Sequence, residues 1–204
     1  MKWLLAIAAL WGLTCAAQAQ RDPCATPGEN SAFLGVKTIR LWTGEAPNAK
    51  GTACEDTPTL TIFDPQQGHD NGSAVIVLPG GSYAHLAANL EGRQVADWFT
   101  ARGFRAFVLS YRLSSNGYLL PVPLLDARRA VQMVRARASD YHVNPNRIVM
   151  IGFSAGGHLA ALGQRSRSRE SRTRRMRLSR CRAGQIFWFW AIHGLERSQA
   201  IRHT

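Results

Sequence analysis

Two absences divide this chain before any motif is read. No aspartate occurs after Asp140, and residues 163–204 contain no lysine. Cysteine is scarce, with only Cys15, Cys24, Cys54 and Cys181, and no Cys/His cluster has metal-ligand spacing, so the sequence implies no metal centre. The apolar run from Trp3 to about Ala17 is short for a membrane span. The formal net charge of +12 would suit a polyanionic partner if it were spread over a folded surface, but it is not. Residues 1–162 hold 14 Lys and Arg against 11 Asp and Glu, whereas residues 163–204 hold 11 Arg against 2 Glu. The basicity therefore belongs to the tail, and the rest carries a mixed-sign surface that gives no reason to expect a nucleic-acid partner.

With 204 residues, 46% of them apolar, the chain is sized for one domain with a sizeable core. Its start, "MKWLLAIAALWGLTCAAQAQ", has one Lys, an apolar stretch and small residues at Ala17 and Ala19. That is the Ala-x-Ala pattern of a signal peptide, so residues 1–19 are expected to be cleaved and the product to be secreted or periplasmic, with no membrane association afterwards. A lipid-anchored start at Cys15 fits less well, because Gly12 stands where such a signal prefers an apolar residue. Export leaves Cys24, Cys54 and Cys181; in an oxidising compartment Cys24 and Cys54 could pair, leaving Cys181 unmatched.

Residues 20–34 read as a linker. "VKTIRLW" (Val36–Trp42) and "TPTLTIFDP" (Thr57–Pro65) alternate apolar and polar residues, as half-buried strands do. "SAVIVLPGG" (Ser73–Gly81), "FRAFVLSYRL" (Phe104–Leu113) and "NRIVMIGFS" (Asn146–Ser154) are continuous apolar runs suited to strands covered on both faces. Between them, "EGRQVADWFTARG" places Val95, Trp98, Phe99 and Arg102 at helical spacing, with Gly103 as C-cap. "VPLLDARRAVQMVRARASDYHV" puts Leu124, Ala127, Val131, Val134 and Ala138 on one stripe, with the arginines mostly away from it. Strand, helix, strand, helix, strand predicts an α/β fold with a doubly wound, mostly parallel sheet over residues 35–162.

"GFSAGGH" (Gly152–His158) ends the last of these strands and starts an apolar helical segment. A serine on such a turn is pushed outward with strained backbone angles, and Gly152 and Gly156 are needed because side chains there would strike neighbouring backbone. Ser154 is the candidate nucleophile. Attack on an ester carbonyl creates an oxyanion that needs two donors; the N–H of Ala155 is one, and the glycine-rich "LPGGSY" (Leu78–Tyr83) offers Gly81 or Ser82 as the other.

At this point the sequence resembles the α/β-hydrolase-fold serine esterases, within them the secreted lipase/esterase-like and acetyl-xylan-esterase-like hydrolases of bacteria. The matching stretches are "IRLWTGEAPNAKG", "TPTLTIFDP", "VIVLPGGSYAHLA", "EGRQVADWFTARGFRAFVLSYRL", "DARRAVQMVRARA" and "NRIVMIGFSAGGHLAA", in that order, over roughly residues 35–162. The resemblance implies a serine hydrolase of carboxylic esters, plausibly acetyl groups on plant polysaccharide, with no cofactor. Ser82 departs from the usual Pro-Gly-Gly-Gly-Tyr, but a backbone N–H survives that change.

Such an enzyme needs an acid and then a histidine after its serine. Here the tail offers only Glu170 and Glu196 as acids and His193 and His203 as bases, while His158 lies too near Ser154 along the helix and His85 reads as an exposed loop residue. Arginine and serine without lysine or aspartate is what a shifted reading frame through GC-rich DNA gives. The Arg/Ser-rich segment 163–204 is therefore expected not to belong to the fold, leaving the sheet incomplete on its C-terminal side, although "QIFWFWAIHG" (Gln185–Gly194) could add a strand beside Ile148–Gly152. The alternative reading is a non-catalytic exported protein whose basic tail binds polyanions.

Overall fold

The structure is a computed structural model that describes residue 24 and residues 31–33, 35–163 and 188–191, with only the backbone path described for the last four. Six strands form one sheet: β1 (Thr38–Arg40), β2 (Thr59–Phe63), β3 (Ser73–Leu78), β4 (Phe104–Ser110), β5 (Ile148–Phe153) and β6 (Trp188–Ala191). Their spatial order is β1-β2-β4-β3-β5-β6, with β4, β3, β5 and β6 parallel and β1 and β2 antiparallel to their neighbours. The strand expected of "QIFWFWAIHG" is present as β6, in register from Met150↔Trp188 to Phe153↔Ala191.

Helix α1 (Gln94–Thr100) covers one face and α2 (Val122–Ala136) the other, joined there by α3, helical over residues 155–163. The alternation of β3 shows the two layers directly. Ala74, Ile76 and Leu78 pack with Ala127, Val131, Val134 and Leu159, whereas Val75 and Val77 pack with Ala96, Val108 and Phe33. All six residues of β3 are buried, as a strand covered on both sides requires.

Three details differ from the sequence expectation. The strand foreseen over Val36–Trp42 pairs only at Thr38–Arg40, an edge position. The strand β2, expected half-buried, is buried at all five residues because both core layers reach it, Leu60 and Ile62 joining one cluster and Phe63 the other; its polar side is accommodated where the Thr38 and Thr61 hydroxyls meet at 3.0 Å. On α1, Val95 and Phe99 pack inward but Trp98 is 52% exposed, with the Arg102 guanidinium 3.6 Å over its ring. The segment enters through a π-helical turn (Ala88–Arg93), and it is the small residues Gly92 and Ala96 that approach the sheet, turning Trp98 away. A Cβ on Gly92 would lie 3.1 Å from Val108 Cγ1, so nothing larger fits that contact freely.

The stripe on α2 is as expected, but it also contains a charge. Asp126 is buried, and so is Arg112, just past β4. The Arg112 Nη2 donates to Asp126 Oδ1 at 2.6 Å, Nε reaches both carboxylate oxygens at 3.2 and 3.0 Å, and the Arg112 amide donates to Oδ2 at 3.0 Å. Arg112 Nη1 also donates to the Pro47 carbonyl at 2.9 Å, tying the end of β4 to the loop after β1. Burial raises the Asp126 pKa above the ordinary carboxylate value, against the lowering effect of the Arg112 hydrogen bonds. The arginines of α2 are not simply solvated: Arg129 donates to the Leu41 carbonyl at 2.9 Å and Arg135 to that of Pro145 at 3.2 Å.

Cys24 and Cys54 form a disulfide. No helix among the described residues is long and apolar enough to cross a membrane. The signal segment, Cys15, Cys181 and the Arg/Ser run lie outside the described residues.

Candidate active site

Four apolar residues of β5, Ile148 to Ile151, lead to Gly152 and Phe153, and the chain then reverses into α3 through Ser154, whose φ is +45°. A non-glycine residue in the left-handed region is strained by about 1–2 kcal/mol and persists only where its surroundings impose it. Here they do. A Cβ on Gly152 would lie 2.3 Å from the Gly156 carbonyl oxygen, and one on Gly156 would lie 2.1 Å from the Leu78 carbonyl oxygen. Both contacts are with backbone, so neither residue can be other than glycine without moving a strand. Ser154 is exposed, and its carbonyl accepts the His158 amide at 2.9 Å in the first turn of α3.

The loop after β3 lies against this turn. A Cβ on Gly80 would lie 2.7 Å from the Phe153 carbonyl oxygen and 3.0 Å from Ser154 Cβ. Gly81, Ser82 and Tyr83 follow with φ of +128°, +56° and +60°. Three successive positive-φ residues turn the carbonyls into the loop: Gly81 O accepts from Ala84 and His85 N at 2.9 and 3.1 Å, and Gly80 O from Ala87 N at 2.9 Å. Among the described residues no hydrogen bond uses the amides of Gly81, Ser82 or Ala155. The departure from glycine at residue 82 is thus accommodated in the left-handed region, with Ser82 exposed.

Several groups that support this loop were not legible beforehand. The Gly80 amide donates to Glu91 Oε2 at 2.7 Å. The Tyr83 carbonyl accepts from the Ser114 amide at 2.8 Å and hydroxyl at 2.9 Å, and the Tyr83 hydroxyl meets His158 Nδ1 at 3.0 Å. The Tyr111 hydroxyl donates to the Pro79 carbonyl at 2.7 Å. Burial raises the pKa of Tyr83 and, more strongly, that of Tyr111, where the nearby Tyr83 and Glu91 add to the effect. A signal for Glu91 existed, an acid one helical entry after the glycine loop, but nothing in the spacing says that it turns back to Gly80.

The structure therefore brings Ser154, Ala155, Gly81 and Ser82 together at the carboxyl ends of β3 and β5. His85 is exposed, as expected. His158, too near Ser154 along the helix to face it, is exposed and bonded to Tyr83 and not to the Ser154 hydroxyl. Glu170, Glu196, His193 and His203 fall outside the described residues. Among the described residues no group of three or more His, Cys, Asp or Glu could hold a metal ion.

A family model described as BD-FAE matches residues 60–181, a span that passes Leu162 and runs into the arginine-rich segment. An acetylxylan esterase of Xylanibacter ruminicola is 38% identical over 103 residues, 50% of this chain and 21% of that protein. The esterase LipC of Mycobacterium tuberculosis is 32% identical over 88 residues, 43% of this chain and 22% of that protein. Among solved structures, an acetyl ester-xyloside bifunctional hydrolase from Caldicellulosiruptor lactoaceticus superposes with a TM-score of 0.54 at 38% identity, covering 62% of this chain and 45% of that one. A thermophilic esterase from Thermogutta terrifontis gives 0.54 at 28% identity over 66% of this chain and 45% of that one. The chain spans about a fifth of the length of these curated relatives and under half of these structures.

Proposed function

The chain belongs to the BD-FAE family and carries part of an α/β-hydrolase fold, and from that premise we propose that it is an exported serine hydrolase of carboxylic esters, acting on acetyl groups of plant polysaccharide. The single observation that carries the reading is the exposed Ser154 at φ +45°, held against a loop whose Gly81 and Ser82 amides have no acceptor among the described residues. In this reading Ser154 Oγ attacks the ester carbonyl carbon. The carbonyl oxygen takes up the negative charge, and the amides of Ala155 and of Gly81 or Ser82 donate to it. Preorganised donors of this kind are worth about 3–4 kcal/mol each in other acyl-transfer enzymes. The alcohol leaves with a proton, and water then releases the acid. The acetylxylan esterase and the bifunctional xyloside hydrolase among the relatives support the choice of substrate. Export is supported by the Cys24–Cys54 disulfide, since such bonds persist in oxidising compartments.

The base that takes the Ser154 proton has His193 and His203 as its tail candidates, with Glu170 and Glu196 as acids. Glu196 and His203 stand only seven positions apart, too close for groups normally brought from two strand ends, and in this reading no tail pair forms a working triad. Loss of the histidine costs other serine hydrolases on the order of a millionfold in turnover. The chain is expected to hydrolyse a chromogenic acetate ester negligibly on its own and measurably when imidazole is supplied as the missing base, with the gain abolished in Ser154→Ala. Equal rates for both proteins at every imidazole concentration would refute the serine mechanism and favour a non-catalytic protein with a polyanion-binding tail. Robust Ser154-dependent turnover without imidazole would place the base in the tail.

A further inference from the structure

The strand registers show what else shares an edge with Ser154. Arg40 pairs with Thr59 and Thr59 with Ser110, and the parallel ladders end at Val77↔Val108 and Leu78↔Gly152, next to Phe153. Four strand spacings separate Arg40 from Phe153, roughly 19 Å. Just beyond the Arg40–Thr59 end lies a shallow depression open to solvent, lined by Arg40, Trp42, Glu45, Thr52, Asp56 and Thr57 among others. From its rim a run of hydrogen bonds follows the edge towards the nucleophile. Asp56 accepts from the Tyr118 hydroxyl, Lys50 Nζ donates to Gly117 O at 2.8 Å, Ser114 holds the Tyr83 carbonyl, and Tyr83 meets His158 on α3.

We propose that this depression is a subsite for the carbohydrate chain that bears the scissile ester, binding sugar units several residues along from the one at Ser154. The proposal rests on the ester-hydrolase reading above and extends it to the alcohol side of the substrate. Two carboxylates stand against one guanidinium in the lining, which disfavours an anion and suits a neutral polyol, whose hydroxyls bond to the exposed Glu45 and Thr52. Trp42 supplies the apolar face on which a sugar ring stacks. Its indole is packed against the core, with the Arg112 and Arg129 guanidinium carbons 5.8 and 5.9 Å from the ring centroid, so little of its freedom remains to be lost on binding. The loop that carries Thr52 is likewise fixed before any ligand arrives, because the buried Asp56 accepts from the Ala53 amide at 3.2 Å and from Tyr118, and the disulfide through Cys54 secures the same loop.

The test is calorimetric titration of the whole chain with a linear xylo-oligosaccharide carrying no acetyl groups. Wild type and Ser154→Ala are expected to bind it alike. Trp42→Ala should weaken binding about tenfold or more, the scale of losing one aromatic platform. Because Trp42 also packs on the core, Gly44→Leu is the second variant: Gly44 lines the depression, a Cβ there meets nothing within 4 Å, and a leucine would put bulk into it. Absence of binding to the wild type, or binding that survives Gly44→Leu, overturns the proposal. The ester reading is judged separately, by Ser154-dependent reaction of the wild type with a small acetate ester in the presence of imidazole as the base. Turnover without oligosaccharide binding sinks the subsite alone, and binding without turnover sinks the ester reading alone.

Discussion

Replacing Asp126 by Asn probes the most demanding contact in the fold. The substitution keeps the size of the side chain and an oxygen that can still accept the Arg112 amide, but it removes the charge facing a guanidinium whose side chain is 0% exposed. What remains for Arg112 is the Pro47 carbonyl at 2.9 Å and the faces of Tyr118 and Trp42 at 5.1 and 5.8 Å. Breaking one side of a buried pair costs about 3–5 kcal/mol, because an uncompensated charge stays inside. For a domain of this size that corresponds to about 6–20 °C in melting temperature. The double variant Arg112→Met with Asp126→Leu removes both charges and leaves chiefly the Arg112 amide without its acceptor, a loss of about 1–3 kcal/mol. Urea unfolding of the three proteins should therefore rank wild type first, the double variant second and Asp126→Asn last. A loss below about 1 kcal/mol for Asp126→Asn, or a double variant weaker than the single one, would refute the claim that uncompensated burial dominates this site.

Two further outcomes follow from the same coordinates. Gly156→Ala puts a Cβ 2.1 Å from the Leu78 oxygen and 2.7 Å from that of Pro79, both backbone atoms, and should cost about 1–3 kcal/mol or more by forcing β3 from the turn. Gly44→Ala, with no neighbour within 4 Å, should stay within about 0.5 kcal/mol of wild type; equal losses for the two glycines would show that the turn is looser than described. Tyr83, Tyr111 and Tyr141 have pKa values raised by burial, so below about pH 10 both folded and unfolded chains keep their protons and the stability is intact. Above it the unfolded chain ionises first, and stability should fall through the folded pKa values, followed by denaturant titration together with tyrosinate absorbance. A stability that stays level across that range would count against these burials.

How much of this was readable beforehand follows the range of each interaction. The runs Ser73–Gly81, Phe104–Leu113 and Asn146–Ser154 announced β3, β4 and β5 because continuous apolar character is a local signal, and Ser154 followed because its glycines stand two residues either side. Trp98 misled because its spacing matched the stripe, while the choice of buried side was made by Gly92 and Ala96, whose lack of bulk is a property of the contact and not of the period. Arg112 and Asp126 are 14 residues apart on a strand end and a helix, and neither declares the other. Asp126 did leave a trace: it sits between Pro123 and Ala130 on the apolar side of α2, where an acid has no reason to be unless something meets it. Glu91 left less, since its partner is an amide of the preceding loop.

A β-sheet is graduated like a ruler, since each added strand moves its rim by one fixed step. In this chain the two antiparallel strands at the far margin lengthen the rim on the side away from the elbow without altering the elbow itself. If the proposed subsite holds, lengthening or trimming that margin would change the length of polymer it grips while the elbow is left alone, because the two lie on different strands.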